Sequence, residues 1–366
     1  MYITLLFIIP LIVWLIIAKL IFKHEFSWAE MGIQAGITSV VLALLVVMGT
    51  HYQTVDYKMV NGIVTNLNAK KKNCNQMWSD FSDSFCTNEY TRRVRDGQTC
   101  TTINNKRTCT PKYKTQYRSI YPWEIRYFVE TEISNHEISR VDAQGAETPP
   151  RFSEIQKGDP VTQLVSYTNY IKGASDTLFN QKYEDVPPLA YPKVYDYYKV
   201  RRVIYFGAPS NSDEVSEWDK QLAVLNADIR KTGANVIIGV TNSTQDWSER
   251  LAQAWDAHNI NDVVVVLGVD NETIKWVDVR SWSEYDIVNI EIRDEILNLK
   301  VVDKTKINDI IKSAILEHYK QQPMENFEYL AEDIPPPTWM YIIAAIILLV
   351  ITPGVTYYFS RPQNRF

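Results

Sequence analysis

The sequence predicts an α/β chain: helices covering a central mixed sheet, preceded by a disulfide-braced antiparallel β module and anchored by three transmembrane helices. Three observations predict it. Strongly apolar runs of about 20 residues stand at 3–22, 31–49 and 339–358, with a polar block between them. All four Cys (74, 86, 100 and 109) fall within 36 residues. Beyond residue 200, capped amphipathic segments alternate with short apolar runs, the most apolar being DVVVVLGV from Asp262 to Val269. The 366 residues carry 38 Lys+Arg against 43 Asp+Glu, and the net charge of −5 gives no reason to expect nucleic acid. With 22 Tyr, 12 Phe and 10 Trp the chain is too aromatic for disorder. It is also too polar for a polytopic transporter.

The first span, 3–22, is interrupted only by Lys19, which can snorkel to the interface. A cleaved signal peptide is the alternative, but no basic segment precedes the apolar run and no small-x-small site follows it. The second span, 31–49, carries no charge. The third, 339–358, is framed by Trp339 and Tyr341 at one end and by Tyr357, Tyr358 and Phe359 at the other, an aromatic belt. Lys19, Lys23 and His24 cluster at the loop between the first two spans, and Arg361 and Arg365 occupy the tail 359–366. Both read as cytoplasmic ends, which places 51–337 on the opposite face, the periplasm if the membrane is a bacterial inner membrane. Gly32 and Gly36 form a G-x-x-x-G pair, suited either to packing the first two spans together or to self-association.

The cysteines test that orientation independently. No C-x-x-C is present, so disulfides in an oxidising compartment are expected rather than zinc. Four Cys allow three pairings. The segment from Cys100 to Cys109 is symmetric about Asn104-Asn105, and Asn tolerates the positive φ of a two-residue turn. Counting outward, 103 faces 106, 101 faces 108 and Cys100 faces Cys109, a non-hydrogen-bonded pair close enough for a disulfide. That pairing leaves Cys74 with Cys86.

The block then divides into a β-rich module at 51–150 and an α/β domain at 151–325, with a Pro-containing linker at 326–338. Polar and apolar residues alternate from Tyr90 to Glu132, as in twisted antiparallel strands. From Cys86 through Arg118 there are eight Lys or Arg and two acids. This is either an edge hairpin blunted by charge or a docking surface for an acidic partner or anionic lipid. Asp159-Pro160 reads as an N-cap and N1 pair opening a helix through Val161, Leu164, Val165, Thr168 and Ile171. A Tyr- and Pro-rich excursion covers 183–198, and 200–206 is a strand. Asn211 and Glu214 form a capping box for a helix whose face is Val215, Trp218, Leu222, Leu225 and Ile229, stopped by Gly233. Residues 234–240 are a buried strand. Ser243 and Asp246 start a helix bearing Trp247, Leu251, Trp255 and His258. Asp262–Val269 is a strand buried on both faces, turning at Asp270-Asn271-Glu272 into a hairpin strand at 273–279. Thr305 caps a final helix with Ile307, Ile310, Ile311, Ala314 and Ile315.

From Glu217 to Trp282 this order resembles the TPM domain family, which includes thylakoid-lumen phosphatases, photosystem II repair factors and exported bacterial membrane proteins. The matching pieces are 222–233, 236–240, 247–255 (which contains ERLAQAW), 263–269 and 274–278. The resemblance, over roughly 200–320, implies a mixed sheet covered by helices and a nearby transmembrane anchor. The family's Gly-rich turn is replaced here by 256–262, where Asp262 alone keeps an acidic place. The whole layout is similar to inner-membrane proteins of bacteria and their phages.

No G-x-S-x-G, H-E-x-x-H, Walker A or G-x-G-x-x-G motif occurs. His258 and His318 fall on apolar helix faces. The acids Asp262, Asp270 and Glu272, with Asp246 and Glu249, are the candidate ligands for Ca²⁺ or Mg²⁺. Asp262 and Asp270 lie about 26 Å apart on an extended strand, too far to share one ion. The function expected is therefore that of a membrane-anchored, non-catalytic interaction or assembly protein with a membrane or extracytoplasmic protein partner. A divalent-metal-dependent phosphatase is the alternative.

Overall fold

The computed structural model describes residues 2–23, 27–73, 88–103, 106–119, 123–138, 150–174, 189–196, 198–208, 211–255, 258–334 and 336–360. The fold is mixed α/β. It divides into two compact units, one of 1–60, 164–194 and 200–366, the other of 61–163 and 195–199.

The first unit begins with two apolar helices, α1 (Tyr2–Phe22) and α2 (Trp28–Thr54). Ser27 starts α2 with a full capping box: its Oγ accepts from Glu30 N–H at 3.2 Å while Glu30 Oε2 accepts from Ser27 N–H at 2.7 Å. The helix therefore extends beyond the 31–49 predicted. Two helices, Trp28–Thr54 and Thr338–Tyr358, are long and apolar enough to cross a membrane, where three were expected. The apolar stretch described in α1, Phe7–Phe22, falls short.

A buried polar clasp joins these helices. Gln34 Nε2 donates to Thr352 O at 2.7 Å and to Thr356 Oγ1 at 2.9 Å, and Trp14 Nε1 donates to the same hydroxyl at 3.3 Å. Without water such an amide must find its partners inside the bundle. A π-turn at Ile347–Ile351 precedes Pro353, whose missing N–H interrupts the regular ladder. Gly49 lets α2 approach the last helix closely, since a Cβ there would lie 2.6 Å from Met340 Sδ. Gly32 and Gly36, by contrast, face open space, so they do not pack α1 against α2.

In the second unit β1 (Val55–Asn73) enters from α2, followed by the ribbon β2 (Asn88–Ile103) and β3 (Lys106–Ser119). Next come β4 (Trp123–Thr131), β5 (Asn135–Ile138), the single turn α3 (Pro150–Ser153) and β6 (Pro160–Thr168). One sheet has the order β5-β4-β1-β6, with β4 antiparallel to both β1 and β5, and β2 with β3 forms a separate two-stranded antiparallel sheet. Val64, Tyr127, Val129, Ile138, Ile155 and Val161 make its core. Cys100 faces Cys109 in the expected register and they are disulfide-bonded, with Cα atoms 4.0 Å apart. The Asn104-Asn105 turn and the Cys74–Cys86 pairing lie outside the described residues.

The helix expected after Asp159-Pro160 is instead β6. Its β-branched Val161, Thr162, Val165 and Thr168 suit a pleated strand, and pairing on β1 outweighs the N-terminal Pro signal. Asp159 serves a turn instead, accepting from Gln156 N–H at 2.7 Å.

The chain then forms the short turn α4 (Tyr170–Gly173), the pair β7 (Val194–Tyr195) and β8 (Lys199–Val200), and β9 (Val203–Phe206). The single strand read over 200–206 is thus two pieces. Helix α5 (Ser212–Asp228) is capped by Asn211, which accepts from Asp213 N–H rather than completing a box with Glu214. Gly233 ends this segment at φ 81°. Strand β10 (Asn235–Thr241) is followed by α6 (Asp246–Ala254), which starts after Gln245 without a side-chain cap, so Ser243 is not its cap. Strands β11 (Asp262–Asp270) and β12 (Thr273–Ser281) form the predicted hairpin. Helix α7 (Ile287–Leu299) has no counterpart in the sequence reading. Helix α8 (Lys304–His318) is capped by Asp303, not Thr305. Residues Met324–Asp333 form a 3₁₀ segment that buries Phe327 and Leu330, so this stretch is packed rather than a linker. Helices α9 (Thr338–Ile346) and α10 (Thr352–Phe359) flank the π-turn.

The sheet order is β12-β11-β10-β9, with β9, β10 and β11 parallel and β12 antiparallel. Side chains alternate between two cores. Val236, Ile238, Val263 and Val265 pack with α5, α7 and α8, whereas Ile237, Val264 and Val266 pack with Trp247 and Leu251 of α6. Both faces of β11 are covered, which is why it reads as a continuous apolar run.

Candidate functional site

The two ends of the parallel strands are chemically distinct. At the amino ends, Asp262 is completely buried. Its Oδ1 accepts from Asn235 Nδ2 at 2.8 Å; its Oδ2 accepts from Tyr191 Oη at 2.8 Å and Asn259 N–H at 2.9 Å. Asn235 in turn accepts from Nε of Arg202 at 3.1 Å, itself buried. Burial raises the Asp262 carboxyl to about 6, although these hydrogen bonds and Arg202 oppose the shift. Burial likewise lowers Arg202 to about 10, so it stays charged at neutral pH.

This network continues to the end of α2. Asn169 N–H donates to Thr54 O at 2.6 Å, and its Nδ2 donates to Asp56 and to Tyr167 Oη, each at 2.9 Å. Tyr167 donates to Asn259 at 3.2 Å, and Asn261 Nδ2 donates to Met59 O at 2.6 Å. Lys172 pairs with Asp56 at 2.8 Å. Beside it Ile171 and Ala174 pack on Ile260, Phe327, Leu330 and Ile334, just before α9. Both apolar helices thus join the α/β fold at the amino ends of its strands.

At the carboxyl ends lies a cavity of about 750 Å³. Its apolar floor is Tyr205, Val240, Val269, Leu299, Val301 and Val302; its rim carries Glu214, Asn271, Glu272, Asp303, Lys304 and Lys306. In open parallel α/β sheets the crevice beyond the carboxyl ends is the usual ligand site. Lys304 holds Glu214 at 3.0 Å, and Lys306 holds Asp303, the α8 cap, at 3.1 Å. Among the described residues no Ser, Cys or His lines the cavity.

The predicted metal residues therefore do not converge. Asp262 stands at one end of β11, fully engaged; Asp270 and Glu272 stand at the other, where Asp270 pairs with Lys275 at 3.6 Å. Asp246 pairs with Arg250 at 3.1 Å, and Glu249 lies 3.9 Å from Arg280. His258 is buried outside any helix at φ 52°, its Nδ1 3.1 Å from Asn259 O. Burial lowers it to about 4, so it is neutral at physiological pH. Among the described residues the carboxylate–imidazole cluster whose ligand atoms meet is Glu291, Glu317 and His318. There His318 Nε2 lies 3.1 Å from Glu291 and 3.8 Å from Glu317, an α7–α8 pairing at the last turn of α8.

Sequence reading missed Tyr191, Asn235, Arg202 and the cavity floor at 299–302. Tyr191 sits in the irregular Tyr- and Pro-rich excursion, and the floor belongs to the α7–α8 connection. Asn235 opening an otherwise apolar strand was the one legible signal. Comparison with protein-family models, curated proteins and solved structures finds no match to this chain.

Proposed function

We propose that this chain is a membrane-anchored, non-catalytic interaction or assembly protein that presents a TPM-like α/β fold to a protein partner on the extracytoplasmic side. The observation carrying this reading is the polarity of the sheet. Its amino ends are consumed in attachment to the apolar helices, and its carboxyl ends open a cavity about 26 Å further along, at 3.3 Å per residue over β11. A cavity so placed serves a protein or soluble ligand rather than the hydrocarbon. Its floor is apolar and its rim charges are largely paired among themselves, a composition suited to binding.

In this reading α1 is a third span, residues 51–337 lie in the periplasm of a bacterial inner membrane, and the open Gly32/Gly36 face is available for self-association. The test is affinity capture of tagged full-length protein from gently solubilised membranes, wild type against Val301→Arg. Val301 is 48% exposed on the cavity wall, so the substitution leaves the core intact. A stoichiometric partner kept by the wild type and lost by the variant supports the reading; equal capture contradicts it.

Of the acids that the phosphatase alternative singled out, only Glu272 reaches the cavity rim, where it is joined by Glu214 and Asp303. Two of the three are already held by Lys304 and Lys306. It requires phosphoester hydrolysis that depends on Ca²⁺ or Mg²⁺ and is lost in Glu272→Gln. Our reading expects no hydrolysis with either ion.

A further inference from the structure

The formal charges of this chain are segregated. The ribbon at 88–119 holds eight Lys or Arg and two acids, a net +6, whereas 201–333 holds 14 Lys or Arg and 24 acids, a net −10. We infer that the basic ribbon β2–β3 of one copy docks on the acidic α/β unit of a second copy.

The ribbon is built for contact rather than for a core. Its pairing runs from Asn88 opposite Ser119 to Ile103 opposite Lys106, roughly 50 Å at 3.4 Å per residue. Among the described residues no third strand joins it. A free two-stranded ribbon is marginal in water, and here the Cys100–Cys109 disulfide staples it near its tip. Arg93, Arg95, Lys112 and Tyr113 are all exposed. Arg95 lies opposite Tyr113, so Arg93, Arg95 and Tyr113 share one face and the adjacent Lys112 takes the other. A flat anionic bilayer meets one face of such a ribbon; an acidic protein surface can engage both.

The complementary surface is on the same chain. From Gln321 through Ser360 there is no Lys or Arg. Within this stretch the segment Met324–Asp333 exposes Glu325, Glu328, Glu332 and Asp333, with Tyr329 64% exposed among them. None of these four acids has an ion pair with a described residue. Copies anchored in one membrane meet at high local concentration, which favours a weak electrostatic contact. Because the two patches differ, the contact is heterologous, head to tail.

The inference shares with the proposed function the membrane anchor and the exposure of both patches on one side of the membrane; it does not depend on the cavity. The test uses full-length protein in neutral-lipid nanodiscs or mild detergent, with mass measured at about 0.1 M and about 1 M salt, where Debye lengths are about 10 and 3 Å. Wild type should associate at low salt and separate at high salt. A ribbon variant (Arg93→Glu, Arg95→Glu, Lys112→Glu) and a strip variant (Glu325→Lys, Glu328→Lys, Glu332→Lys) should each associate at least tenfold more weakly. Mixing the two variants should restore association, because each supplies the charge the other now needs. Recovery in the mixture also shows that both variants fold. Val301→Arg should associate like wild type, which separates failure here from failure of the cavity reading. A monomeric wild type at low salt, unchanged association in either variant, or no recovery on mixing overturns the inference. Binding to vesicles containing anionic lipid that is lost in the ribbon variant, with wild type monomeric, would assign the ribbon to the membrane instead.

Discussion

Asp262 and the Asp270–Glu272 pair terminate the same strand, yet they do opposite work. Asp262 is wholly buried and accepts three hydrogen bonds beside a buried arginine; Asp270 is exposed and Glu272 sits on a cavity rim. The sequence alone makes both ends equally acidic. Packing separates them: the amino ends are sealed by the chain arriving from α2, and the carboxyl ends are left open. An acid at a strand end is thus structural or available according to what covers it.

The largest effect should come from the sealed end. Asp262→Ala leaves three donors unmet and strips Arg202 of a nearby countercharge, which should cost roughly 3–5 kcal/mol. Denaturant unfolding of the full chain in detergent measures it. A loss below about 1 kcal/mol would mean that the network is not holding the fold.

The pH dependence sharpens the contrast. Asp262 titrates at about 6 in the fold against 3.8 free, so between these values the folded state binds more protons and stability falls as pH rises. His258 titrates at about 4 against 6.5 free, so there the unfolded state binds more protons and stability rises with pH. Each change is on the order of 3 kcal/mol, and the two nearly cancel between pH 4 and 6. Asp262→Asn should therefore expose a rising profile, and His258→Asn, chosen because Asn tolerates positive φ, a falling one. Thermal unfolding across that range reads both. Parallel profiles in the two variants would contradict the assignment.

At the junction with α2, Asn169→Ala removes the α4 cap and the links to Asp56 and Tyr167, and should cost about 1–2 kcal/mol. At the open end, Asp270→Asn should stay within about 0.5 kcal/mol, since its only described ion pair is exposed. A larger loss there would erase the difference between the two ends.

Much of the fold was legible because its signals were local. The DVVVVLGV run marks a strand covered on both faces, Gly233 marks a helix stop, and symmetry about 104–105 sets the Cys100–Cys109 register. The failures came where tertiary pairing decided. Pro160 signalled a helix start, but β1 offered a ladder and β6 formed. Helix α7 was hidden because its Ile-rich sequence has weak propensity and forms by packing on the sheet. Asp262 was singled out as a candidate metal ligand, whereas its hydrogen-bond partners lie at 191, 235 and 259, a juxtaposition no local spacing encodes. The cavity is likewise an arrangement of the ends of six elements and the loops between them.

The most direct test of the central claim places a photo-crosslinking residue at either end of the sheet in native membranes. Val301 samples the cavity wall; Lys231, exposed beside Gly233, samples the sealed end. A discrete protein adduct is expected from position 301 and none from 231. An adduct from 231 alone, or equal labelling from both, would contradict it.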